Sequence, residues 1–468
     1  MNRRVSSSLK VMNPATGKVV TTLPADDARS VRAKYEAARA AQPAWAALPL
    51  QTRLAALRRF RTALVNETEA LAVTLTTEVG KPITQSRNEV KGVLGRIDFF
   101  LSATPRVLRD EVVATFKDAA NRWMTERITQ GPLGVVANIS AWNYPYFVGA
   151  NVFVPALLTG NAVLYKPSEF ATLTGLALAR LLHASGVPTE VFAPLVGGGD
   201  VGTAIVRQPV DGLFFTGSYA TGRKIARRVA GRMIRLQLEL GGKDPVYVCE
   251  DVGDVSQTAK ALAEGAFYNA GQSCCSVERI YVHQRIFPRF MAAFVKEVKS
   301  YKIGDPARAS TFIGPLARAP QLDVLEAQVA DAVRKGARVL VGGRRLKRAG
   351  HYFAPTVLVD VDHTMTIMQD ESFGPAIGVM PVGSDDEAVT LMNDTPYGLT
   401  AGVYTPDEKR AELILARVHS GSAYWNCCDR VSPRLPWSGW GQSGMGLTLS
   451  RAGILSFTRP RAWHLQSS

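Results

Sequence analysis

The segment Leu133-Gly-Val-Val-Ala-Asn-Ile139-Ser-Ala-Trp-Asn143 is a short apolar run that ends in small and polar residues. Short runs of this kind, rich in β-branched residues, are typical of β-strands. Three more follow along the chain, and the stretches between them have helical spacing. The further runs are 162–165, 191–196 and 213–216, and the helical stretches are 171–184 and 217–230. This alternation of strand and helix predicts a parallel, doubly wound α/β domain.

A second alternation begins near Asp244. Residues 245–249 and 279–282 have the pattern of strands, and an amphipathic helix lies between them. The apolar face of that helix comprises Val255, Ala259, Leu262, Ala263, Ala266 and Phe267. The two α/β patterns join near 241–242, and the first 100 residues are mostly helical, most clearly at 53–79. We therefore predict an α/β fold with two doubly wound, Rossmann-like domains.

Composition is that of an ordinary globular protein, with 468 residues, 46% hydrophobic and 20% charged. The net charge of +15 suggests nucleic acid or an anionic membrane as a partner. However, the basic residues are spread along the chain without a long basic tail. We therefore favour a solvated basic surface, which would also attract an anionic cofactor, and expect no nucleic-acid partner.

Five cysteines, two adjacent pairs and one single residue, do not form a disulfide framework. No C-x-x-C spacing or histidine cluster suggests a metal site. Reduced thiols fit a cytoplasmic location best. Residues 1–10 lack the apolar core of a signal peptide, and the longest apolar stretch, 148–159, is too short to span a bilayer. We expect no membrane association.

The segment Phe267-Tyr-Asn-Ala-Gly-Gln-Ser-Cys274-Cys275-Ser ends the amphipathic helix and presents a thiol in a polar loop. A cysteine nucleophile must be accessible and must deprotonate, and this setting allows both. The alternative is a buried, inert cysteine, which is the commoner fate of a single cysteine.

Polar residues at strand ends are the other candidates for chemistry. Glu239 lies between leucines, where burial should raise the pKa of its carboxyl group and suit a general base; otherwise it is a solvated strand-end acid. Asn143 follows a strand, where its amide can donate to an oxyanion, or it is a turn residue beside a proline. Lys166 and Glu169 end the next strand and can bind the ribose of a dinucleotide, or form a surface ion pair.

Seven short motifs occur in the order found in one family. They are Asn13-Pro-Ala-Thr-Gly17, Glu78-Val-Gly-Lys-Pro82, Phe215-Thr-Gly-Ser218, Glu239-Leu-Gly-Gly-Lys243, Gly271-Gln-Ser-Cys274, Glu371-Ser-Phe-Gly-Pro375 and Ser443-Gly-Met-Gly446. Each motif is weak alone, but the ordered set is very specific. Over essentially its whole length the chain resembles the NAD(P)-dependent aldehyde dehydrogenase superfamily.

The resemblance implies an enzyme that oxidises an aldehyde to a carboxylic acid. Cys274 would be the nucleophile, and its adduct with the aldehyde would become a thioester. Glu239 would activate the water that hydrolyses the thioester. The side-chain amide of Asn143 and the backbone N–H of Cys274 would form the oxyanion hole.

The resemblance also implies the binding residues. The cofactor would be held by Ile139, Ser140, Ala141, Trp142, Lys166, Ser168, Glu169, Gly199, Gly202, Phe215, Thr216, Gly217, Ser218, Thr221, Leu240, Glu371 and Phe373. The aldehyde entrance would be lined by Tyr144, Phe147, Val148, Tyr268, Cys275 and Val431. NAD is expected to be the preferred cofactor and NADP an alternative, because the carboxylate of Glu169 would repel a 2′-phosphate.

Domain boundaries follow from the resemblance together with the strand-like character of the remaining segments. We expect a cofactor-binding domain at 1–109 and 132–240 and a catalytic domain at 241–445. By this resemblance, a small β arm at 110–131 and 446–468 would pair with a neighbouring copy and make a homodimer or homotetramer. The alternative is a flexible surface hairpin.

Departures from the family pattern limit what the sequence says about the aldehyde. Residues 197–202 read as G-x-G-x-x-G, but no acidic residue follows about 20 positions later, so this is not the standard dinucleotide fingerprint. The segment Pro436-Trp-Ser-Gly439 and the substrate-facing loop at 424–430 also differ from the family pattern. The entrance is largely apolar, and the position at which semialdehyde-specific members often carry arginine is Asn151. We therefore expect an uncharged aromatic or medium aliphatic aldehyde, whereas Arg430 and Arg434 keep an acidic semialdehyde open.

Two further alternatives concern the reaction. In a CoA-acylating enzyme, CoA would resolve the thioester, but the presence of Glu239 favours water. A catalytically idle binding protein on the same fold is disfavoured by the retained Cys274, Glu239 and Asn143.

Overall fold

The computed structural model describes residues 8–467. Residues 1–7, part of the segment expected to lack a signal peptide, and Ser468, the end of the expected arm, lie outside the described residues. The chain begins with a hairpin and continues with four helices. These elements are β1 (Ser8–Asn13), β2 (Lys18–Pro24), α1 (Ala28–Ala47), α2 (Leu50–Asn66), α3 (Thr68–Val79) and α4 (Ile83–Val107). Helices α2 and α3 account for the helical stretch predicted at 53–79.

A long hairpin, β3 (Glu111–Lys117) and β4 (Trp123–Pro132), precedes the first parallel sheet. That sheet is built by strands alternating with helices: β5 (Val135–Ile139), α5 (Pro145–Leu158), β6 (Ala162–Lys166), α6 (Thr172–Ala184), β7 (Phe192–Pro194), α7 (Gly199–Val206), β8 (Gly212–Thr216), α8 (Tyr219–Val229) and β9 (Arg235–Glu239). The strand order is β9-β8-β5-β6-β7, all parallel. Every residue of β5 is buried, because helices cover both faces of a sheet of this kind.

The second sheet forms in the same way from the following residues. Its elements are β10 (Pro245–Val248), α9 (Val255–Phe267), β11 (Arg279–His283), α10 (Phe287–Ser300), α11 (Pro320–Arg334), β12 (Arg338–Val341), β13 (Thr356–Val359), α12 (Thr366–Gln369), β14 (Ala376–Val382), α13 (Asp385–Asn393), β15 (Tyr397–Gly398), β16 (Thr400–Tyr404), α14 (Glu408–Leu415) and β17 (Ser422–Trp425). The strand order is β12-β13-β14-β11-β10-β16-β17. Only the edge strand β12 runs antiparallel to its neighbour, while β15 stands outside this sheet.

The C-terminal segment returns to the first half of the molecule through β18 (Trp440–Gly441), β19 (Gly444–Met445), α15 (Ser450–Leu455) and β20 (Thr458–Gln466). β19 joins the first sheet antiparallel to β9, and β20 joins β4 and β3 in a three-stranded antiparallel sheet. The fold class is thus as predicted: two parallel α/β sheets with a small antiparallel sheet.

The placement of 446–457 in the arm is where the structure differs from the predicted boundaries. Leu449, Ile454 and Phe457 are buried in the core of the first sheet, and Phe457 stacks on Phe214 with ring centroids 4.3 Å apart. Apolar burial therefore fixes this segment to the first α/β unit. The extended C-terminal strand begins only at Thr458.

Two hydrophobic cores, one around each parallel sheet, hold the site between them. In the first sheet the chain passes from β5 to β6 on one side and later returns to β8 on the other. Ligands of open α/β sheets bind beyond the carboxyl ends of the strands at such a switch point, which here is the end of β5. None of the helices within residues 8–467 combines the length and apolar character needed to cross a membrane.

Candidate active site

A cavity of about 690 Å³ opens beyond the end of β5 and extends to the loop after β17. Asn143, Cys274 and all six residues predicted to line the substrate entrance face this cavity. Further lining residues, which the sequence analysis did not assign, include Asn88, Gly92, Gly95, Arg96, Glu264, Ser273, Cys427, Cys428 and Asp429. The cavity therefore has an aromatic wall and a markedly polar one.

The loop that carries Cys274 is held beside Asn143 by a backbone turn. After α9 the chain makes a tight turn in which Asn269 and Ala270 have left-handed φ values of 53° and 54°. The Asn269 side-chain amide donates to the backbone carbonyl oxygens of Asn143 at 3.2 Å and of Gln272 at 3.1 Å. One buried side chain thus fixes the cysteine loop against the asparagine loop.

The two adjacent cysteines have different surroundings. Cys274 is half-buried and faces the cavity, whereas Cys275 is buried. The Cys275 thiol donates to Oδ1 of Asp429 at 3.0 Å, and Ser273 Oγ donates to the same oxygen at 3.3 Å. The hydrogen bond with Cys274, burial and the charge of Asp429 together raise the pKa of Cys275 well above its usual range. Cys275 is therefore held as a thiol.

Glu239 ends β9 and is 6% exposed. Neither of its carboxyl oxygens has a hydrogen-bond partner among the described residues. Burial raises the pKa of Glu239 well above its usual range, and the neighbouring Gln237 side chain opposes this shift. Glu239 is not among the residues that line the cavity, so of the three predicted catalytic residues the structure brings only Asn143 and Cys274 to that lining.

Two buried carboxylates, which the sequence analysis did not assign, hold the helices behind the site. Glu89 pairs with Lys81 and accepts a hydrogen bond from the backbone N–H of Tyr146 at 2.9 Å, at the start of α5. Lys81 also lies 3.7 Å from the centre of the Tyr144 ring. Glu89 thus satisfies an N-terminal amide of α5 and fixes the segment that follows Asn143.

Glu78 does the same for α6, the helix after the Lys166 loop. It accepts hydrogen bonds from the backbone N–H groups of Leu173 at 2.8 Å and Thr174 at 2.6 Å. Burial raises the pKa of Glu78 to about 7, although these hydrogen bonds oppose the shift. The Glu78-Val-Gly-Lys-Pro82 motif therefore acts on the site through the two helices that border it.

The residues predicted to bind the cofactor lie along the carboxyl ends of β5, β6, β8 and β9 and the starts of α7 and α8. Lys166 is buried and its Nζ lies 3.6 Å from Oε2 of Glu169, with Gly202 packed against the lysine stem. Ser218 caps α8 and accepts from the Thr221 N–H at 3.4 Å. A dinucleotide fits this edge, because it offers a cation, a carboxylate and a helix N-terminus for ribose and phosphate.

Glu371 and Phe373 reach the same edge from the second α/β unit. Glu371 accepts from the Gly242 N–H at 3.2 Å and packs so tightly on Gly241 that a Cβ there would collide with the carboxylate. Burial raises the pKa of Glu371 to about 8. The ring of Phe373 meets that of Trp142 edge to face, with centroids 5.5 Å apart. Aromatic contact thus joins the two units at this edge.

A buried ion pair supports the Glu371 loop. Glu278 accepts from Lys243 Nζ at 2.6 Å and from the backbone N–H groups of Ser372 and Phe373, both at 3.0 Å. Phe373 has a left-handed φ of 44°, a conformation that needs such support. Glu278 therefore sets the position of Phe373 without facing the cavity.

Arg96 is the main cavity residue that sequence reasoning missed. It is 7% exposed, its Nη1 donates to Oδ1 of Asn151 at 2.9 Å, and its guanidinium carbon lies 3.9 Å from the centre of the Phe147 ring. Burial lowers the pKa of Arg96 to about 10, so the group stays positively charged at neutral pH. The sequence signal that could have identified Arg96 is its helical spacing, which places it on the same face of α4 as Asn88, Gly92 and Gly95.

Among residues 8–467, no three histidine, cysteine or acidic side chains are grouped so that they could hold a metal ion. The described groups offer a thiol, a side-chain amide and a buried carboxyl, next to an edge whose groups could hold a dinucleotide.

Comparison with known proteins agrees with this geometry. The model of the Aldehyde dehydrogenase family matches residues 2–463. The Deinococcus radiodurans protein named succinate-semialdehyde dehydrogenase (NADP(+)) is 33% identical to this chain, over 96% of this chain and 93% of its own length. The crystal structure of lactaldehyde dehydrogenase from Escherichia coli superposes with a TM-score of 0.94 at 32% identity, covering 99% of this chain and 97% of that one. An indole-3-acetaldehyde dehydrogenase in complex with NAD+ gives a TM-score of 0.94 at 31% identity, covering 98% and 93%.

Proposed function

The chain belongs to the aldehyde dehydrogenase family and has NAD(P)-dependent aldehyde dehydrogenase activity, and from this premise we propose that it oxidises its aldehyde through a thioester on Cys274 that water hydrolyses. The observation that carries the proposal is the different state of the two cysteines. Cys274 faces the cavity beside Asn143, whereas Cys275 is bound as a hydrogen-bond donor to Asp429.

In the first half of the reaction the Cys274 thiolate attacks the aldehyde carbon. The carbonyl oxygen becomes an oxyanion, which the Asn143 amide and the backbone N–H of Cys274 stabilise. One such donor is typically worth about 3–4 kcal/mol in the transition state. Nicotinamide, when bound, supplies the hydride acceptor. Loss of the hydride from the carbon and return of the oxyanion to a carbonyl leave the thioester on Sγ.

In the second half a water oxygen attacks the thioester carbonyl and Glu239 takes the water proton. The C–S bond then breaks, the acid leaves and the Cys274 thiolate is restored. Burial raises the pKa of Glu239, which suits a general base, and both carboxyl oxygens are free to accept. Glu239 is not among the residues that line the cavity, so this step requires its carboxyl group to reach the water beside Cys274.

One experiment separates this function from its alternatives. NADH formation from a simple aldehyde without CoA is expected of a hydrolytic dehydrogenase. A CoA-acylating enzyme would need CoA for turnover, and an idle binding protein would form no NADH under either condition. The free acid should appear in equal amount to NADH.

We further propose that NAD is preferred to NADP. Glu169 is the residue that discriminates, because it lies beside Lys166 at the end of β6, where the adenosine ribose is expected. The names of the relatives include both NADP(+) and NAD+. Support for a preference for NAD therefore comes from the charge of Glu169 alone.

The three-stranded sheet is proposed to mediate assembly into a dimer or a dimer of dimers. It presents apolar side chains to solvent, among them Val112, Val113, Phe116 and Trp123. Phe116 pairs with Met124 and Trp123 pairs with Lys117, so apolar side chains are exposed on both faces of the sheet, which is unusual in a monomer. A cytoplasmic location is proposed on the cysteine chemistry, since catalysis needs Cys274 as a free thiol.

A further inference from the structure

We propose that the aldehyde carries a carboxylate at the end away from its carbonyl group, and that Arg96 binds this carboxylate. The proposal rests on the function proposed above and revises the uncharged substrate expected from the sequence. Its basis is a buried cation that the fold places in the cavity without an acidic partner.

Buried charges in proteins are normally paired with an opposite charge. Arg96 is 7% exposed, and among residues 8–467 no carboxylate lies within ion-pair distance of its guanidinium. Its contacts are the neutral Asn151 oxygen and the face of the Phe147 ring. The buried acid Glu89, on the same helix, is already paired with Lys81 and accepts from the N–H of Tyr146. A ligand carboxylate would supply the missing partner in a bidentate geometry that suits a guanidinium.

The cavity allows one molecule to reach both Cys274 and Arg96. Both residues line it, so a ligand in the cavity can contact both. The aromatic wall formed by Tyr144 and Phe147, stacked with ring centroids 5.9 Å apart, would cover the apolar body of the aldehyde. A volume of about 690 Å³ is ample for a small aldehyde acid.

The helix that carries Arg96 is shaped to leave this space open. Asn88, Gly92, Gly95 and Arg96 share one face of α4 and all line the cavity. A Cβ at Gly92 would lie 2.7 Å from the Phe147 ring, so a side chain there would displace the ring over which Arg96 lies. Asn151 occupies the position at which semialdehyde-specific family members often carry an arginine. Here its side-chain oxygen accepts a hydrogen bond from Arg96, which belongs to α4.

The other charges of the cavity favour an anion over a cation. Arg430 and Arg434 add positive charge to that of Arg96, against Asp429 and Glu264. One oxygen of Asp429 already accepts hydrogen bonds from Cys275 and Ser273, so protein donors partly satisfy this carboxylate. An aldehyde with a distal ammonium group would place its positive charge near that of Arg96, and the repulsion would disfavour binding.

Matched pairs of aldehydes test the proposal with the full-length enzyme. The pairs are succinic semialdehyde with butanal, and 4-carboxybenzaldehyde with benzaldehyde. We expect kcat/KM to be higher for the carboxylated member of at least one pair. In Arg96→Gln, the ratio of kcat/KM for the carboxylated over the neutral member should fall by about 30-fold or more, because loss of one partner of a buried charge pair costs at least about 2 kcal/mol.

Arg87→Gln is the matched control, since Arg87 lies on the same helix and pairs with Glu69 on the surface. Its ratio should equal that of the native enzyme. Arg96→Lys keeps the charge and should retain part of the preference. An unchanged ratio in Arg96→Gln, or better turnover of an aldehyde with a distal ammonium group, would overturn the proposal.

Equilibrium binding provides a readout that does not need turnover. Succinate and terephthalate, the product acids of the carboxylated aldehydes, should raise the Tm of the native protein and of Arg87→Gln more than that of Arg96→Gln or Arg96→Lys. If no aldehyde is oxidised but these acids bind through Arg96, the proposed function fails and the carboxylate site stands. If neutral aldehydes are oxidised and neither acid binds, the carboxylate site fails and the proposed function stands.

Discussion

The Cys275 thiol donates a hydrogen bond to Oδ1 of Asp429, with Sγ and Oδ1 3.0 Å apart. The preceding residue, Cys274, faces the cavity, and no carboxylate among residues 8–467 accepts a hydrogen bond from it. A carboxylate that accepts from a thiol disfavours the thiolate, so the pair is chemically unequal although the two cysteines are adjacent.

Replacement of the two cysteines should therefore have different effects. Cys274→Ala is expected to abolish turnover while the cofactor still binds, because no thioester can form. Cys275→Ala should change KM for the aldehyde more than kcat, because Cys275 only borders the cavity. Steady-state kinetics of both variants, with cofactor binding followed by fluorescence, would decide this. The reverse ranking would show that Cys275 is the nucleophile.

The buried Lys243–Glu278 pair should be important for both stability and cofactor binding. Glu278→Gln leaves the charge of Lys243 unpaired in the interior, which costs about 3–5 kcal/mol. It also weakens the support of Phe373, so KM for NAD should rise. Urea denaturation and cofactor titration measure the two effects.

The matched control for Glu278 is Asp323→Asn, which breaks an exposed pair with Arg345 and should cost less than about 1 kcal/mol. If Glu278→Gln lost stability but kept the native KM for NAD, Glu278 would have no part in placing Phe373.

Cofactor preference should depend on Glu169. Two like charges about 4 Å apart repel by roughly 4 kcal/mol at an effective dielectric constant near 20. Glu169 is partly exposed, and solvent and side-chain motion reduce this value, so we expect a preference rather than exclusion of NADP. Glu169→Ser should lower the ratio of kcat/KM with NAD to that with NADP. A native enzyme that favours NADP would mean that Glu169 turns away from the ribose.

The three-stranded sheet formed by β3, β4 and β20 should mediate assembly of the protein into an oligomer. Twice the chain mass of 50.6 kDa is about 101 kDa, the smallest mass that we expect from light scattering at micromolar concentration. Trp123→Glu replaces an exposed apolar side chain of β4 with a charge and should shift the protein toward the monomer. A native protein of monomer mass would rule out the arm as an assembly device.

Local sequence pattern was sufficient to predict much of the fold. Residues 162–165 and 171–184 correspond to β6 and α6 almost residue for residue, because period and composition determine such elements when helices bury the sheet on both faces. The segment 446–457 was misplaced because its burial depends on Phe214, which lies more than 200 residues earlier. A contact of this kind has no local signal.

The site was predicted unevenly for the same reason. Cys274 ends one of the ordered motifs and Asn143 follows a predicted strand, and the fold brings both to one cavity. Arg96, Glu89 and Asp429 have no motif, and their proximity to the cavity arises from how α4 and the loop after β17 pack. A single sequence shows that Arg96 lies on one face of a helix, but not what that face borders.

Capture of the acyl enzyme tests the central claim most directly. Glu239→Gln removes the proposed base of the second half-reaction but leaves attack and hydride transfer intact. Rapid mixing with aldehyde and NAD should give a burst of NADH close to one equivalent per active site, followed by very slow turnover. Mass spectrometry of the quenched protein should find the acyl group on the peptide that contains Cys274, with fragmentation assigning it to Cys274. Absence of both burst and adduct, or an adduct on Cys275, would contradict the account.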